Sequence, residues 1–506
     1  MGKFVRFFQW VTTKGWSYTM STPNTHEGSA RINAYLKTCA DQSGSVFFIG
    51  VGGVMMSSLA LLTARAGFPV LGSDRARTAV TDALTAGGIT VRYGHAAENI
   101  PADCGLTVYT VAISEDNPEY RASLERGIPC VSRADYLGAL MTDYTRRVGV
   151  AGMHGKSTCT SMCAQILLDA EVDPTILSGA TYAPMGGAYR LGDSKEHFLF
   201  EACEYMDSFL DFNPTVAVLL GAELEHVDYF KDMEQITESF ARFASLTGAD
   251  GVTVVNLDDG DIMESARRAL DRGRTGRLIT FSAAGDPAAD FRAAVIRTER
   301  GLPSFELIAR GESWGRVSMA VPGRHQVINA LAAAAAMDAC GIPKEAILSG
   351  LAHYCGAGRR MEYKGTVNGA KVYDDYGHHP TEVKATLEGA KALCGAESEG
   401  GRLICVFQPH TYSRTAALYG EFLTAFDAAD KVILMDIYAA REDNVYGVSS
   451  AGLAADINRS VPDKAGYCAT SAEAAEVIRS LAREGDTVVI MGAGDVIRVT
   501  AALFER

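Results

Sequence analysis

The stretch Arg147-Val-Gly-Val-Ala-Gly-Met-His-Gly-Lys-Ser-Thr158 decides the fold of this chain. Residues 147–151 are typical of a buried strand, residues 157–168 are typical of a helix, and glycines lie in the turn between them. A strand that runs through a glycine turn directly into a helix is the repeating unit of parallel α/β sheets. The stretch therefore predicts an α/β fold with a loop at the carboxyl end of a strand, where such folds bind ligands.

The loop of this stretch also predicts phosphate binding. Backbone N–H groups of the loop can surround phosphate oxygens, and the start of the helix adds partial positive charge. Lys156 can reach the terminal phosphates of a nucleotide, and the Ser157 hydroxyl can complete the shell of a magnesium ion. The predicted ATP-binding loop consists of Gly152, Met153, His154, Gly155, Lys156, Ser157 and Thr158.

The spacing of this loop departs from the usual phosphate loop, which has four residues between its glycines. Here Gly152 and Gly155 enclose only Met153 and His154, and position 150 is Val. A chance glycine turn with a solvated lysine is the alternative interpretation. The strand before the loop and the helix after it favour the phosphate loop.

Alternating strand and helix patterns extend over three segments of the 506 residues, a length that predicts two to four domains. The glycine-bearing turns predict domains at residues 45–143, 144–356 and 357–506, preceded by an extension over residues 1–44. The predicted strands are residues 45–50, 69–72, 107–112, 147–151, 198–200, 216–220, 252–256, 371–373, 403–407, 432–435 and 487–491, with an irregular β-like stretch at 278–321. The predicted helices are residues 55–66, 157–168, 327–340, 382–393, 417–428 and 472–482.

Composition narrows the class of protein. The formal charge of -14 argues against a nucleic-acid partner, which requires a basic face. Eleven dispersed cysteines without a Cys-x-x-Cys pair are typical of a reducing compartment, so we expect a cytoplasmic protein. No apolar run is long enough for membrane insertion. The aromatic residues 1–19, followed by a second candidate start at Met20, are interpreted either as a disordered arm or as a start-site artefact.

A second glycine turn, Gly50-Val-Gly-Gly53, follows the first predicted strand, and Asp74 lies 21 residues beyond it. This arrangement resembles the dinucleotide fingerprint, in which glycines let a diphosphate approach a helix start. The third glycine position is Met55, and the motif does not distinguish NAD from a UDP-sugar. A nucleotide-dependent dehydrogenase is therefore an alternative, but it gives Lys156 no role. A plain tight turn is the structural alternative.

Polar residues cluster after other predicted strands. Glu201 and the run Glu223–Asp228 could supply a carboxylate to magnesium, although single acidic residues at strand ends are more often solvated. The run Tyr373–Glu382 contains adjacent histidines, whose spacing does not favour a zinc site. Arg414, in Phe407-Gln-Pro-His-Thr-Tyr-Ser-Arg, suits a bidentate grip on a carboxylate.

Together these motifs resemble those of the Mur ligase family, over about residues 45–506 and in the same order. The matching strings are Gly152–Thr158, Asn256–Asp259, Pro322–His325, Gly358–Arg360, Asp374–Glu382, Phe407–Thr415 and Asp436–Glu442. The resemblance implies a Rossmann-like UDP-binding domain, a central P-loop ATPase-type domain and a Rossmann-like C-terminal domain. It also implies ATP-dependent joining of L-alanine to the lactyl carboxylate of UDP-N-acetylmuramate in peptidoglycan synthesis, with an acyl-phosphate intermediate.

The resemblance assigns roles to individual residues. The implied UDP-substrate pocket contains Gly50, Gly52, Gly53, Ser73, Asp74 and His95. The implied magnesium ligands are Ser157, Glu201 and His226, and the implied catalytic residues are Lys156, Glu201 and His226, with His226 as a candidate base for the alanine amine. Asn256 and Arg360 are implied in ATP binding, and Tyr376, His379 and Arg414 in binding on the amino-acid side.

Departures from the family pattern lie at Met55, which crowds the diphosphate position, and at Gly221, where the family has Asn. Glu225 stands where the family has Asp. A related ligase that reattaches intact tripeptide during wall recycling is an alternative, and so is a non-catalytic nucleotide-binding regulator. The sequence leaves the oligomeric state open between monomer and homodimer.

Overall fold

The structure is a computed structural model that describes residues 26–110, 113–225, 229–397, 400–440 and 442–504. These residues form three separate β-sheets, one in each of the three predicted segments. Helices cover the sheets, as parallel strands joined by helical crossovers require. None of the helices described is long and apolar enough to cross a membrane.

The first sheet is parallel, and its strands follow the order β3-β2-β1-β4-β5. Its strands are β1 Ser45–Ile49, β2 Val70–Asp74, β3 Thr90–Tyr93, β4 Cys104–Tyr109 and β5 Cys130–Ser132, and its helices are α1 His26–Asp41, α2 Val54–Arg65, α3 Ala79–Ala86, α4 Pro118–Glu125 and α5 Arg133–Leu140. The chain order reverses between β1 and β4, the point at which parallel sheets of this kind bind ligands.

Helix α1 differs from the predicted division of the chain. Residues 1–44 were expected as an extension, yet Ile32, Leu36 and Cys39 of α1 are buried in the core of the first domain. The Asn33 side chain also donates to the Thr142 hydroxyl at 3.0 Å. Periodic apolar residues thus make α1 part of the packed structure. The expectation for residues 1–19 lies outside the described residues.

The central sheet follows the order β15-β14-β13-β12-β11-β10-β6-β9-β7-β8. Its strands are β6 Arg146–Ala151, β7 Thr175–Tyr182, β8 Gly187–Arg190, β9 His197–Glu201, β10 Val216–Leu219, β11 Gly248–Asn256, β12 Thr275–Ser282, β13 Phe291–Glu299, β14 Leu302–Ala309 and β15 Glu312–Ser318. Its helices are α6 Lys156–Asp169, α7 Met233–Ser245, α8 Gly260–Asp271, α9 His325–Ala339 and α10 Lys344–His353. The stretch predicted as irregular, 278–321, lies largely in β12 to β15, and β13, β14 and β15 pair antiparallel.

The third sheet follows the order β16-β17-β21-β18-β19-β20. Its strands are β16 Glu362–Val367, β17 Ala370–Asp375, β18 Leu403–Phe407, β19 Lys431–Met435, β20 Ala465–Cys468 and β21 Thr487–Met491. Its helices are α11 Pro380–Glu397, α12 Tyr412–Ala417, α13 Tyr419–Ala425, α14 Ser450–Ser460, α15 Ser471–Leu481 and α16 Ile497–Phe504. The single helix predicted over 417–428 is wrong, because Leu418 leaves the helical region (φ -106, ψ 17) and separates α12 from α13.

The strand order brings the predicted motifs together. Strands β9 and β10 flank β6 directly and run parallel to it. Their carboxyl ends therefore share one edge of the sheet, so the loops after all three strands meet there. The loops after β17 and β18 reach the same place from the third sheet, as the side-chain contacts below demonstrate.

Candidate functional site

The phosphate loop has a conformation that only glycine fits at two positions. Gly152 has φ +143 and Gly155 has φ +83. A Cβ at Gly155 would lie 2.4 Å from the Asn329 Oδ1 atom, and one at Gly152 would lie 2.8 Å from the Leu220 Cβ atom. Both glycines therefore combine a backbone conformation that side chains disfavour with a close approach to neighbouring elements.

Helix α6 starts immediately after this loop, with glycine at its N-cap. Glycine has no side chain with which to cap the helix, so first-turn N–H groups are available to an anion. Ser157 and Thr158 lie buried in that turn. Met153 is also buried, and its backbone N–H donates to the Gly221 carbonyl at 3.0 Å, which fixes the middle of the loop. The loop is rigid and presents the positive end of a helix.

Lys156 is held beneath the loop. Its ammonium donates to the Gly152 and Met153 carbonyls at 2.7 and 3.2 Å and to Glu204 Oε1 at 2.9 Å. Burial alone would lower the pKa of Lys156, but the Glu204 carboxylate, Cys203 and Glu201 raise it above its ordinary value. Lys156 is therefore cationic at neutral pH, with Glu204 as its partner.

The predicted magnesium ligands lie on neighbouring elements. Glu201 ends β9, and its Oε2 atom accepts from the Gly179 N–H at 2.9 Å. Ser157 lies in the first turn of α6 next to Lys156, whose pKa responds to the Glu201 charge. A hydroxyl and a carboxylate are oxygen donors of the kind that magnesium prefers, so this pair fits the ion. His226 lies outside the described residues.

A polar cluster joins the central and C-terminal domains. We call His154, Glu223, His379 and Glu382 the interdomain cluster. His154 Nε2 lies 2.8 Å from Glu223 Oε2, and His154 Nδ1 lies 3.1 Å from Glu382 Oε1. The Thr381 hydroxyl donates to Glu223 Oε1 at 2.7 Å. The phosphate loop is thus hydrogen-bonded to the first turn of α11, in which Glu382 lies.

The charges in the interdomain cluster stabilise one another. Burial opposes the charge of His154, but hydrogen bonds to Glu223 and Glu382 raise its pKa to about 10. Burial likewise opposes the charge of Glu382, yet His378, His154 and Arg360 hold its pKa well below its usual range. His379 is buried, and burial together with the charge of His154 lowers its pKa. The cluster therefore contains a cationic His154 between two carboxylates and a neutral His379.

A second contact between the domains lies beside this cluster. Arg414 donates to Glu225 Oε1 at 3.0 Å, and His378 Nε2 lies 3.7 Å from the same oxygen. Burial alone would raise the pKa of Glu225, but His378, His154 and Arg414 lower it. The Glu225 side chain therefore reaches the C-terminal domain directly.

Two arginines enclose Tyr376 at the same junction. The guanidinium carbon of Arg360 lies 5.1 Å from the centre of the Tyr376 ring, and that of Arg359 lies 5.0 Å from it. Arg360 Nη1 is 4.0 Å from Glu382, and the buried Arg360 Nε atom has no hydrogen-bond partner among the described residues. Arg360 and Tyr376 therefore lie together at the interdomain cluster.

Asn256 ties two strand ends together. Its side-chain amide donates to the Leu220 carbonyl at 2.9 Å, and its Oδ1 atom accepts from the Asp258 N–H at 3.1 Å. Asn256 is buried, and Asp259 accepts from the Ala222 N–H at 2.9 Å. The contact of Asn256 with adenine stays a prediction. The hydrogen bond to Leu220 shows that Asn256 holds the start of the loop after β10.

The glycine turn of the first domain is set by Asp74. The Gly52 N–H donates to Asp74 Oδ2 at 2.8 Å, and a Cβ at Gly52 would lie 2.7 Å from that oxygen. Gly50 has φ +81, and Gly53 precedes α2 without a side-chain cap. Met55 is partly buried against the core of this domain. The turn therefore leaves the start of α2 open, as in the predicted diphosphate site.

A buried carboxylate, Glu119, organises the rest of this pocket. Its Oε2 atom accepts from the Ser73 hydroxyl at 2.6 Å and from His95 Nδ1 at 2.7 Å, and Oε1 accepts from the Asn99 amide at 2.6 Å. The side chain is fully buried. Because a carboxylate only accepts, the Ser73 proton and the His95 Nδ1 proton both point at Glu119. His95 Nε2 is then the ring nitrogen left for a ligand.

Three sequence models of one family match consecutive parts of the chain. The model described as Mur ligase family, catalytic domain, matches residues 45–145, and the Mur ligase middle domain matches residues 150–337. The model described as Mur ligase, glutamate ligase domain, matches residues 359–494. The chain belongs to the Mur ligase family. The predicted membership and the predicted α/β fold with three domains are confirmed.

Curated Mur ligases resemble the chain over nearly its full length. The UDP-N-acetylmuramate–L-alanine ligase of Agathobacter rectalis is 42% identical over 462 residues, which cover 91% of this chain and 98% of that protein. The enzyme of the same name from Clostridium beijerinckii is 40% identical over 460 residues, covering 91% and 97%.

Solved Mur ligase structures share the fold. The UDP-N-acetylmuramate-alanine ligase from Thermotoga maritima superposes with a TM-score of 0.74 at 25% identity, covering 91% of this chain and 98% of that one. A murein peptide ligase from Psychrobacter arcticus superposes with a TM-score of 0.65 at 23% identity, covering 92% and 99%, and this likeness concerns the fold alone.

The partners of the predicted site residues are carboxylates that the sequence did not single out. Glu119 was not singled out, although Asn117-Pro-Glu119 has an Asn cap and a Pro in the first turn, which predicts the start of α4. Glu204 received no predicted role, and Glu382 stood only at the end of the run Tyr373–Glu382. These residues could have been identified as candidates, because each is a carboxylate near the start of a helix and close in sequence to predicted ligands.

Proposed function

We propose that this protein joins L-alanine to the lactyl carboxylate of UDP-N-acetylmuramate, converting ATP to ADP and phosphate. The names of relatives at about 40% identity over 91% of the chain support this substrate pair. The observation that carries the proposal is the contact of the phosphate loop with the C-terminal domain, at 3.1 Å between His154 and Glu382. An amide ligase needs such a junction, because ATP, an acid and an amine must meet there.

The proposed binding roles follow the geometry. The open start of α6 and Lys156 suit the phosphates of ATP. The turn Gly50–Gly53, Asp74 and His95 suit the UDP part of the acid substrate, and Ser73 supports His95 through Glu119. Arg360, Tyr376, His379 and Arg414 suit the nucleotide and amino-acid side. Magnesium, which Ser157, Glu201 and His226 would hold, would neutralise phosphate charge.

The proposed chemistry has two steps. A carboxylate oxygen of the lactyl group attacks the γ-phosphorus and ADP leaves, which produces an acyl phosphate. Lys156 stabilises the negative charge on the transferring group. The alanine nitrogen then attacks the acyl carbon and phosphate leaves, while the amine proton passes to a base; His226 is the candidate in this step if its lone pair is not bound to magnesium.

Contact between the domains protects the intermediate. An acyl phosphate reacts with water, so the site has to exclude water while alanine is bound. The pairs His154–Glu382 and Glu225–Arg414 hold the C-terminal domain against the central one. Opening of these contacts would release ADP and product, and closure would assemble the site again.

The test is ADP release by the full chain with ATP, UDP-N-acetylmuramate and one amino acid at a time. We expect turnover with alanine and lower turnover with serine and glycine. No ADP should be released when UDP-N-acetylmuramate or the amino acid is omitted. Binding can separate such small side chains by only about 1–3 kcal/mol, so some leakage is expected. EDTA should stop the reaction and added magnesium should restore it.

Three outcomes would refute the proposal, and they are measured by adding an intact tripeptide to the assay and by titrating the protein with NADH. Preference for an intact tripeptide over alanine would indicate the recycling ligase, and tight NADH binding without ADP release would indicate a dehydrogenase. Nucleotide binding without turnover on any acceptor would indicate a regulator. Domain bounds at 45–143, 144–356 and 357–506, a cytoplasmic location and the choice between monomer and homodimer stay predictions.

A further inference from the structure

The interdomain cluster brings together three side chains that ligate transition metals. One ligand atom from each of His154, Glu223 and His379 lies within 4.8 Å of the other two. The separation is 2.8 Å between His154 and Glu223 and 3.8 Å between His379 and Glu223. Zinc binds nitrogen and oxygen ligands at about 2.0–2.2 Å, which places ligand atoms roughly 3–3.5 Å apart. Small shifts of these side chains would therefore accommodate the ion.

Neighbouring groups already orient these ligands. His154 Nδ1 donates to Glu382 Oε1 at 3.1 Å, so the outer nitrogen of the imidazole is held by a carboxylate. The Thr381 hydroxyl fixes Glu223 Oε1 at 2.7 Å. Histidine–carboxylate pairs of this kind are typical of metal sites, because they fix the ring and make the facing nitrogen a better ligand. His379 is 1% exposed, and its Nδ1 atom accepts a long hydrogen bond from the Thr381 N–H at 3.3 Å, which a metal would have to replace.

We propose that His154, Glu223 and His379 form a binding site for a divalent metal of the zinc class. Two imidazoles and one carboxylate with an open fourth position suit zinc, cobalt or nickel, whereas magnesium prefers oxygen ligands. Metal binding replaces the proton between His154 and Glu223, which passes to solvent. The ligands come from two domains, so the metal ties the domains together.

The proposed ion would compete with ATP. His154 belongs to the phosphate loop, and a metal that holds it against His379 keeps the two domains closed without nucleotide. This consequence rests on the proposed ligase function, but binding of the metal does not. The site is therefore tested without ATP, UDP-N-acetylmuramate or alanine, so that its failure and failure of the ligase assignment are distinguishable.

The experiment titrates metal-free full-length protein with zinc in competition with a chromogenic chelator, and with cobalt followed by visible absorption. Cys203 and Cys355 are exposed thiols, so both are replaced by Ser in every protein tested. We expect one metal per chain, with binding at least about 100-fold weaker in Glu223→Gln and His379→Gln. His353→Gln is the matched control, because His353 pairs with Asp169 at the far end of α6 and is not a ligand, and this variant should bind zinc as the parent does.

Folding of the variants is checked by thermal unfolding without metal. If His379→Gln does not fold, Glu223→Gln and Thr381→Val carry the test, and the latter should weaken zinc about 10-fold by releasing Glu223. Zinc should also raise the unfolding temperature of the parent but not of Glu223→Gln. Equal zinc affinity in the parent and in Glu223→Gln, or zinc affinity no higher than that for magnesium, would overturn the proposal.

Discussion

The pocket of the first domain and the interdomain cluster each contain a histidine held by a glutamate, but in the pocket both residues belong to one domain and in the cluster they belong to two. In the pocket, fully buried Glu119 holds Ser73, His95 and Asn99, and all four belong to one domain. In the cluster, Glu382 of the C-terminal domain holds His154 of the central domain. The pocket exists whenever the first domain is folded, whereas the cluster exists only when two domains touch. The first is suited to binding and the second to catalysis on closure.

This difference separates two measurable quantities. If the pocket binds the UDP-substrate as proposed, substrate affinity should depend on it, because its hydrogen bonds are already made in the protein without ligand. Turnover should depend on the cluster, because on the proposed mechanism its contacts open to release product and close again to assemble the site. Variants in the two regions should therefore change different kinetic constants.

The largest effect is expected for Lys156→Ala, which removes the cation that we propose binds the ATP phosphates. We expect kcat for ADP release to fall by ~10³-fold or more, since charge on the transferring phosphoryl group loses its partner. Affinity for UDP-N-acetylmuramate, measured by calorimetry, should stay unchanged. Lys195→Ala is the control lysine of the same domain. Normal turnover in Lys156→Ala would contradict the assignment of the phosphate loop.

The next effect is expected for Glu382→Gln, which weakens the link between the domains. Its carboxylate accepts from the His378 N–H at 3.0 Å and faces His154. A hydrogen bond to a charged group contributes about 1.5–3 kcal/mol, so kcat should fall about 10- to 100-fold. The control is Glu388→Gln on the exposed face of the same helix. Weaker binding of the UDP-substrate in Glu382→Gln would contradict the claim that the cluster affects turnover and not substrate affinity.

A smaller effect is expected for Glu119→Gln, and it should change KM where Glu382→Gln changes kcat. The amide cannot accept from all its present donors, so His95 loses its orientation. The KM for UDP-N-acetylmuramate should rise about 10-fold, while kcat and the KM for ATP stay near those of the parent. Glu125→Gln, exposed at the end of the same helix α4, is the matched control. A fall in kcat without a change in KM would show that the pocket is not separate from catalysis.

The smallest effect concerns pH and His325, which lies beside the cluster. Burial lowers its pKa to about 4 from 6.5, and Gln326 Nε2 lies 3.1 Å from its Nε2 atom, which suits neutral imidazole. Between pH 6.5 and 4 the unfolded chain binds a proton that the folded chain excludes, so stability is lost as pH falls through this window. The unfolding temperature of His325→Gln should decline less than that of the parent. Equal declines would contradict the neutral state.

Much of the fold followed from the sequence. Strands such as β6, β10 and β18 are short, largely apolar runs between turn residues. Because most of their side chains are buried, the run of apolar residues is enough to predict each strand. Helix α1 and the break at Leu418 were not foreseen, because packing against α5 and the turn between α12 and α13 depend on distant residues. Exposed strands such as β3 carry mixed residues and gave no clear period.

By itself the sequence determined the phosphate loop, the glycine turn and the histidine and arginine strings, because each is a local arrangement of residues with its own chemistry. Only the tertiary structure decided their partners. Glu204 beneath Lys156, Glu119 behind His95 and Glu382 against His154 lie 24 to 228 positions away along the chain. Pairing over such separations depends on strand order and domain contact, and these arise from packing of the whole chain rather than from any local pattern.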